Sequence, residues 1–265
     1  MPIHATALIS QGAEIDPTAD IGPYCMIGPH AKIGPHVKLR SHVVVENHTT
    51  LEANVVAHAF AVLGGMPQDL KYKGEPSRLH VGERTIIRES ATLNTGTEGG
   101  HMETRVGSDC LIMAYAHVAH DCRLGNGVIL ANGVALAGHV DIEDQVIVGG
   151  LAAIHQFVVV GQRAFIGGGA MVAQDVPPYC IAVGDRAALV GLNLVGLKRA
   201  GWSRDRLRDL RQAFEQLFGS HDATRQQALS TLEQSASEDV RAVCQFVRSS
   251  KRGICPAKME RQELD

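Results

Sequence analysis

The stretch "AHVAHDC", residues 116–122, gathers His117, His120, Asp121 and Cys122 within six residues. A neutral imidazole titrates near neutrality, so it can take a proton from a substrate hydroxyl. It does so best when a carboxylate holds its other nitrogen. Asp121 is the adjacent carboxylate, but neighbours on a strand point to opposite faces, so a contact with His120 requires a bend at this point. A second chemistry is zinc, for which His117, His120 and His139 could supply three converging ligands. A third reading is polar decoration of a repetitive surface, because the chain carries 13 histidines and His30, His36 and His42 have no suggestive neighbour.

The element that must position these groups has a period of six. Stepping by six from Ile3 to Leu63 meets Ile, Leu or Val at every position except Ala57. Stepping from Val106 to Val172 meets them at all twelve positions, and Val81, Ile87 and Leu93 hold the same step between the two runs. Six matches neither the 3.6 period of a helix nor the 2.0 period of a lone strand. It suits short strands joined by tight corners, each hexad forming one side of a coil with its aliphatic residue turned inward. Gly often follows that residue, as in "IGPYCM", "LGNGVI" and "VGQRAF". There it is expected to supply backbone angles that a corner needs. None of the four histidines 117, 120, 139 and 155 occupies an inward position, so together they can line an outer surface.

Composition agrees. Ile, Leu and Val make up 64 of 265 residues and aromatic residues only 4%, which favours stacked aliphatic side chains over packed rings. A net charge of −3 gives no reason to expect a nucleic-acid partner. No apolar run is long enough to span a bilayer, and "MPIHATALIS" has no secretory pattern. The six cysteines are scattered, with no C-x-x-C pair, so a reduced, cytoplasmic protein is expected.

Two segments, 64–80 and 94–105, break the period and read as loops extruded from the frame, of a length that is often functional. After "QDVPPY" (174–179) the hexads stop. From about residue 191 a helical pattern takes over: Leu207, Leu210, Phe214 and Leu217 share a face behind Ser203 as N-cap. Val240, Val243, Phe246 and Val247 repeat it behind Ser237, with Glu238 and Asp239 in the first turn, where the helix dipole favours acids.

The repeat resembles that of the hexapeptide-repeat acyltransferases, which implies a mainly β fold: a left-handed parallel β-helix of three hexads per 18-residue coil, generally assembled as a homotrimer. It would occupy residues 1–190, with a C-terminal α-helical domain over 191–265. In such a coil His120 and His139 stand nearly one above the other. Further segments narrow the resemblance: "QDLKYKGEP" (68–76), "IRES" (87–90), "AHVAHDC", "LAGHV" (136–140), "IHQF" (154–157), "AQDVPPY" (173–179) and "GLKR" (196–199). In that order they are similar to the UDP-N-acetylglucosamine O-acyltransferase family of lipid A biosynthesis in Gram-negative bacteria.

The resemblance implies transfer of a 3-hydroxyacyl chain from acyl carrier protein to the glucosamine 3-hydroxyl of UDP-N-acetylglucosamine, with no metal, cofactor or covalent enzyme intermediate. His120 would be the general base, Asp121 its orienting partner and the Gly138 N–H the oxyanion donor. Gln68, Asp69, Lys71, His117, His139, His155 and Gln156 would contact the nucleotide sugar or acyl substrate. Asn193 and Arg199 would lie on the uridine side, and Gly168 would leave the acyl groove open for a longer chain. Arg186 stands where the family commonly has His, Val195 where it has Glu, and Ala200 where it has Arg. A basic segment, 198–211, with Arg204, Arg208 and Arg211 on one helix face, would suit the acidic carrier protein. Alternatives are N-acylation of an amino-sugar variant of the nucleotide, a zinc hydratase on the same scaffold, and a non-catalytic solenoid.

Overall fold

A computed structural model of the chain describes residues 3–219 and 222–258. Its body is a left-handed parallel β-helix. Each coil gives one short strand to each of three sheets. The first face runs from Leu8–Ile9 to Met171–Val172, and the second from Glu14–Ile15 to Val159–Val160. The third runs from Asp20–Ile21 to Phe165–Ile166 and on to Cys180–Val183. Most strands are two residues long because a hexad needs only one inward residue and one outward neighbour. Registers such as Ala135↔Ala153 and Leu136↔Ile154 show the 18-residue coil directly.

The core is the column of periodic residues. From Val106 to Val172 all twelve are at most 3% exposed, each packed on its equivalents one coil above and below. In the first run burial is complete only from Ile21 onward. Ile9 is 38% exposed, because the first coil has no coil beneath it to cover its inward row.

The glycines behave differently from the expectation. Gly22, Gly28 and Gly34, which follow the aliphatic residue, do not adopt positive φ. The left-handed positions of those corners fall two residues later, on Tyr24, His30 and His36. Coil spacing is what requires glycine here: a Cβ on Gly34 would stand 2.8 Å from the Leu51 carbonyl oxygen of the next coil, and one on Gly22 would stand 2.8 Å from that of Leu39.

The two interruptions are also shorter than the lost periodicity suggests. Their edges are strands, Val62–Gly65 and Arg78–Val81 around the first, Thr92–Asn94 and Glu103–Val106 around the second. Strand Cys180–Val183 continues the third sheet beyond the last hexad, with Ala182 opposite Ile166. It then pairs antiparallel with Ala188–Leu192, so the sheet runs past the boundary expected at 190.

Four helices follow: α1 (Leu194–Arg199), α2 (Arg204–Phe218), α3 (Asp222–Leu232) and α4 (Glu238–Ser249). Ser203 caps α2, its side chain accepting the Arg206 N–H, whereas Ser237 precedes α4 without a side-chain cap bond. Leu207, Leu210 and Leu217 are buried as expected, with Phe214 half-buried. Asp239 does more than favour the helix dipole. Buried, it accepts hydrogen bonds from the Tyr179 hydroxyl and the Arg206 guanidinium, which lies 3.4 Å over the Trp202 ring, tying the helices to the last coil. No helix among the described residues is long and apolar enough to cross a membrane.

Candidate active site

The corner after strand His117–Val118 supplies the bend that the His120–Asp121 contact needs. Asp121 adopts φ 60°, the left-handed residue of its corner. That turn folds its carboxylate back onto its neighbour, and His120 Nδ1 lies 2.8 Å from Asp121 Oδ2. A proton on Nδ1 is therefore shared with the carboxylate, leaving Nε2 with its lone pair available.

Asp121 is fully buried, and the second interruption of the repeat is what buries it. Thr97 donates its N–H to Oδ1 (3.1 Å) and its hydroxyl to Oδ2 (2.6 Å), and the His101 N–H donates to Oδ1 (2.7 Å). The Asp121 N–H in turn donates to Thr104 Oγ1 at 2.8 Å. Gly100 packs so closely that a Cβ there would strike the carboxylate. Burial alone would push the carboxyl's pKa up, but the hydrogen bonds from His120, Thr97 and His101 outweigh it and hold Asp121 far below the usual carboxylate range. It is a permanent anion beside His120.

Gly138 lies one coil above. A Cβ on it would stand 2.6 Å from His120 Cε1 and 2.7 Å from Nε2, so only glycine lets the imidazole sit against that backbone. The Gly138 N–H has no acceptor among the described residues, which leaves it free to donate to an anion forming beside His120. His139, at φ 60°, donates its N–H to the His120 carbonyl (3.0 Å) and stacks on Phe157 with centroids 4.5 Å apart. Its ring meets that of His120 edge-on at 5.0 Å. Burial lowers its pKa, and the Asp121 and Asp69 charges act in the opposite direction. His117 hydrogen-bonds the Thr92 hydroxyl (2.7 Å) and burial lowers its pKa as well, so both rings favour the neutral form.

Along the first face above these groups runs an apolar cleft of about 790 Å³. Its floor is built from small residues, Ala119, Ala135, Ala137 and Ala153, with His117 and His155 at its sides and Met171 farther along. His155 and Gln156 are exposed at the rim, the His155 ring close to the Gln156 carbonyl (3.2 Å). Gln68, Asp69 and Lys71 sit on the first interruption, where Asp69 Oδ1 accepts the Lys71 N–H (2.9 Å).

Three of the expected residues stand apart. Gly168 is exposed on the corner before strand Met171–Val172 and is not part of the cleft lining. Asn193 caps α1, its amide occupied by the Gly196 N–H and the Arg163 carbonyl. Arg199 is exposed in the last turn of that helix. Thr97, Gly100, His101 and Thr104 were not singled out by the sequence. The only signal for them was the break in the hexads at "NTGTEGGHMETR".

Among the described residues, the groups that could hold a metal are His120, Asp121 and His139, with ligand atoms within 4.8 Å of one another, and not the trio containing His117. Both Asp121 oxygens already accept hydrogen bonds from the protein, an arrangement built for orienting His120. All six cysteines are buried thiols, and burial pushes that of Cys122, next to the corner, up to about 12. A thiol of that kind is no nucleophile at neutral pH.

The acyltransferase of Anaeromyxobacter sp. (strain K), named acyl-[acyl-carrier-protein]–UDP-N-acetylglucosamine O-acyltransferase, is 46% identical over 256 residues, covering 96% of this chain and 99% of its own. The chain belongs to the UDP-N-acetylglucosamine O-acyltransferase family. The enzyme of the same name from Nautilia profundicola is 46% identical over 197 residues, 74% of this chain and 76% of its own. Residues 175–255 match the family model described as UDP N-acetylglucosamine O-acyltransferase, domain 2, and residues 103–138 match the bacterial transferase hexapeptide repeat. Among solved structures, LpxA from Acinetobacter baumannii superposes with a TM-score of 0.93 at 40% identity, over 96% of this chain and 100% of that one. The UDP-N-acetylglucosamine acyltransferase of Francisella novicida gives 0.91 at 34%, over 96% and 94%. The β-helix and the helices after it are therefore shared across the family.

Proposed function

We propose that the chain transfers a 3-hydroxyacyl group from acyl carrier protein to the glucosamine 3-hydroxyl of UDP-N-acetylglucosamine, the first step of lipid A biosynthesis. The observation that carries this reading is the His120–Asp121 pair, 2.8 Å apart, set against the Gly138 N–H near an apolar cleft. His120 Nε2 takes the proton of the sugar hydroxyl as its oxygen attacks the thioester carbonyl. The new oxyanion accepts the Gly138 N–H, a donor already in place before charge develops. Collapse breaks the C–S bond, and the thiolate leaves with the proton from His120. Asp121 stabilises the imidazolium between the two transfers. No residue is acylated, in keeping with the buried thiols.

The remaining residues have places in this reading. Asp69, Lys71, His117, His139, His155, Gln156 and Gln68 contact the sugar, diphosphate or acyl amide region around the corner. Three copies of the chain form the working enzyme. After Asp20 and Lys38 in its first coils, the outward row of the third face is apolar from Val56 through Ile86, Leu111, Ile129 and Ile147 to Phe165, as are Ala135, Ala153 and Met171 on the first, whereas the second face carries Lys32, Arg105, Arg123 and Asp141. Two apolar faces meeting at one corner suit a closed threefold assembly. Asn193 and Arg199 then serve the uridine end. The acidic carrier docks on α2 through Arg204 and Arg211; Arg208 is already paired with Asp205 and Asp209.

The test is transfer from 3-hydroxymyristoyl carrier protein to UDP-N-acetylglucosamine by wild type and His120→Ala, with zinc content determined on both. Turnover lost in the variant without stoichiometric zinc is expected. Zinc-dependent hydration with no transfer would overturn the reading in favour of the metal cluster at His120, Asp121 and His139. An alkali-stable product would mean an amide, and hence an amino-sugar acceptor.

A further inference from the structure

Beyond Met171 the apolar cleft is lined by Asp185, Arg186, Ala187 and Pro256, the last of them from the final stretch of the described chain. The first sheet stops at Met171–Val172. The hairpin between Cys180–Val183 and Ala188–Leu192 folds over that edge, with the Met171 N–H donating to the Gly184 carbonyl and the Ala187 N–H to that of Met171, both at 3.0 Å. Against the hairpin lies a strap, residues 250–258, which returns from α4 and brings Pro256 into the cleft wall beside Arg186.

The strap is pinned. Asp175, buried to 1% exposure, accepts the Val159 N–H on one oxygen (2.8 Å) and the Ser250 hydroxyl on the other (2.6 Å). Its backbone pairs with Gly253 and Cys255, and Leu189 pairs with Pro256 and Lys258, in four hydrogen bonds of 2.8–2.9 Å. The Pro256 carbonyl is thus held, with the residue at the cleft lining.

We propose that this strap is the end wall of the acyl site and that Pro256 is a specificity-determining residue for acyl-chain length; the inference rests on the acyltransferase reading above. Four strands line the cleft between His117 and Met171, three steps of about 4.8 Å, with the wall about one step beyond, so roughly 14–19 Å is open. An extended alkyl chain of C–C bonds near 1.5 Å advances about 1.25 Å per carbon, so chains of about 11–15 carbons reach Pro256. A larger side chain there shortens the cleft, and a smaller one lengthens it. Neither Pro256→Trp nor Pro256→Ala removes a backbone hydrogen bond, because the carbonyl makes the bond to Leu189.

The experiment gives full-length enzyme a mixture of 3-hydroxyacyl carrier proteins of 10, 12, 14 and 16 carbons with UDP-N-acetylglucosamine and reads the relative kcat/KM. Each excluded methylene costs about fourfold. Pro256→Trp is therefore expected to lower the 14-to-10-carbon ratio more than tenfold, and Pro256→Ala to raise the 16-to-14-carbon ratio. An equal loss at every length, or ratios within twofold of wild type in both variants, would overturn the proposal and leave the strap as a cap on the β-helix. Wild type that transfers none of the chains would instead remove the acyltransferase reading itself.

Discussion

Replacing Gly138 by alanine tests the geometry of the site with a single methyl group. The added Cβ would lie 2.6 Å from His120 Cε1, where carbon atoms normally keep about 3.5–4.0 Å apart. The obstructing atoms are the end of a side chain rather than backbone, so the imidazole gives way, by about 1 Å. Misplacing a reacting group by that distance costs about 100-fold in rate, equivalent to about 2.7 kcal/mol of barrier. Folding is spared: Gly138 does not use a left-handed φ, and alanine restricts the unfolded chain. Expected, then, is a kcat lower by about two orders of magnitude at an unchanged or slightly higher melting temperature, with KM for UDP-N-acetylglucosamine little altered. The assay is initial-rate transfer from a labelled carrier thioester, run beside thermal unfolding of the same sample. A kcat within threefold of wild type would refute the placement of His120 against the Gly138 backbone. A collapsed melting temperature would show that the backbone, and not the ring, had to move.

Thr97→Val removes the 2.6 Å hydroxyl bond to buried Asp121; about 1–3 kcal/mol of stability should disappear in urea titrations, with a fall in kcat, and unchanged values for both would contradict the orienting role of the second interruption. His117 has its pKa lowered by burial, so the unfolded chain binds more protons than the folded one just below neutrality. Its contribution is present above the unfolded value of about 6.5 and is lost as pH falls through the lower folded value. Stability should accordingly decline from pH 7 to 5, less steeply in His117→Gln, and equal slopes would be inconsistent with this. Gly34→Ala should cost about 1–3 kcal/mol, because the atoms 2.8–3.0 Å from the new Cβ are backbone of the next coil. Gly99→Ala, with nothing within 4 Å, should be neutral within about 0.5 kcal/mol in the same unfolding experiment.

Much of this protein is written along the chain, because a coil repeats the same demand every six residues. One aliphatic residue per rung is enough to specify the core, and the run from Val106 to Val172 could be read without a structure. The nearness of His120, His139 and Gly138 was legible for a related reason: residues one coil apart have a fixed spacing once the period is known, whereas the roles assigned to His120, Asp121 and Gly138 came from the family resemblance. Helices α2 and α4 were legible too, since each buries one face; α1 and α3 were not read from the sequence.

What could not be read locally depends on contacts between coils or between distant segments. The positive-φ residues fall on Tyr24, His30 and Asp121, because the steric reason for the neighbouring glycines is the coil above and not the corner itself. Thr97 and His101 reach Asp121 from 24 and 20 residues earlier, and no pattern in the insertion announces that it folds down over that carboxylate. Asp175 and Pro256 are joined through a strap that crosses the end of the β-helix. The sequence by itself determined the period and the inward column, because these follow from spacing along one chain. Tertiary structure alone decided which amides hold the anion beside His120 and which distant residues join the cleft lining, because those contacts arise only when non-repeating segments pack against the repeating frame.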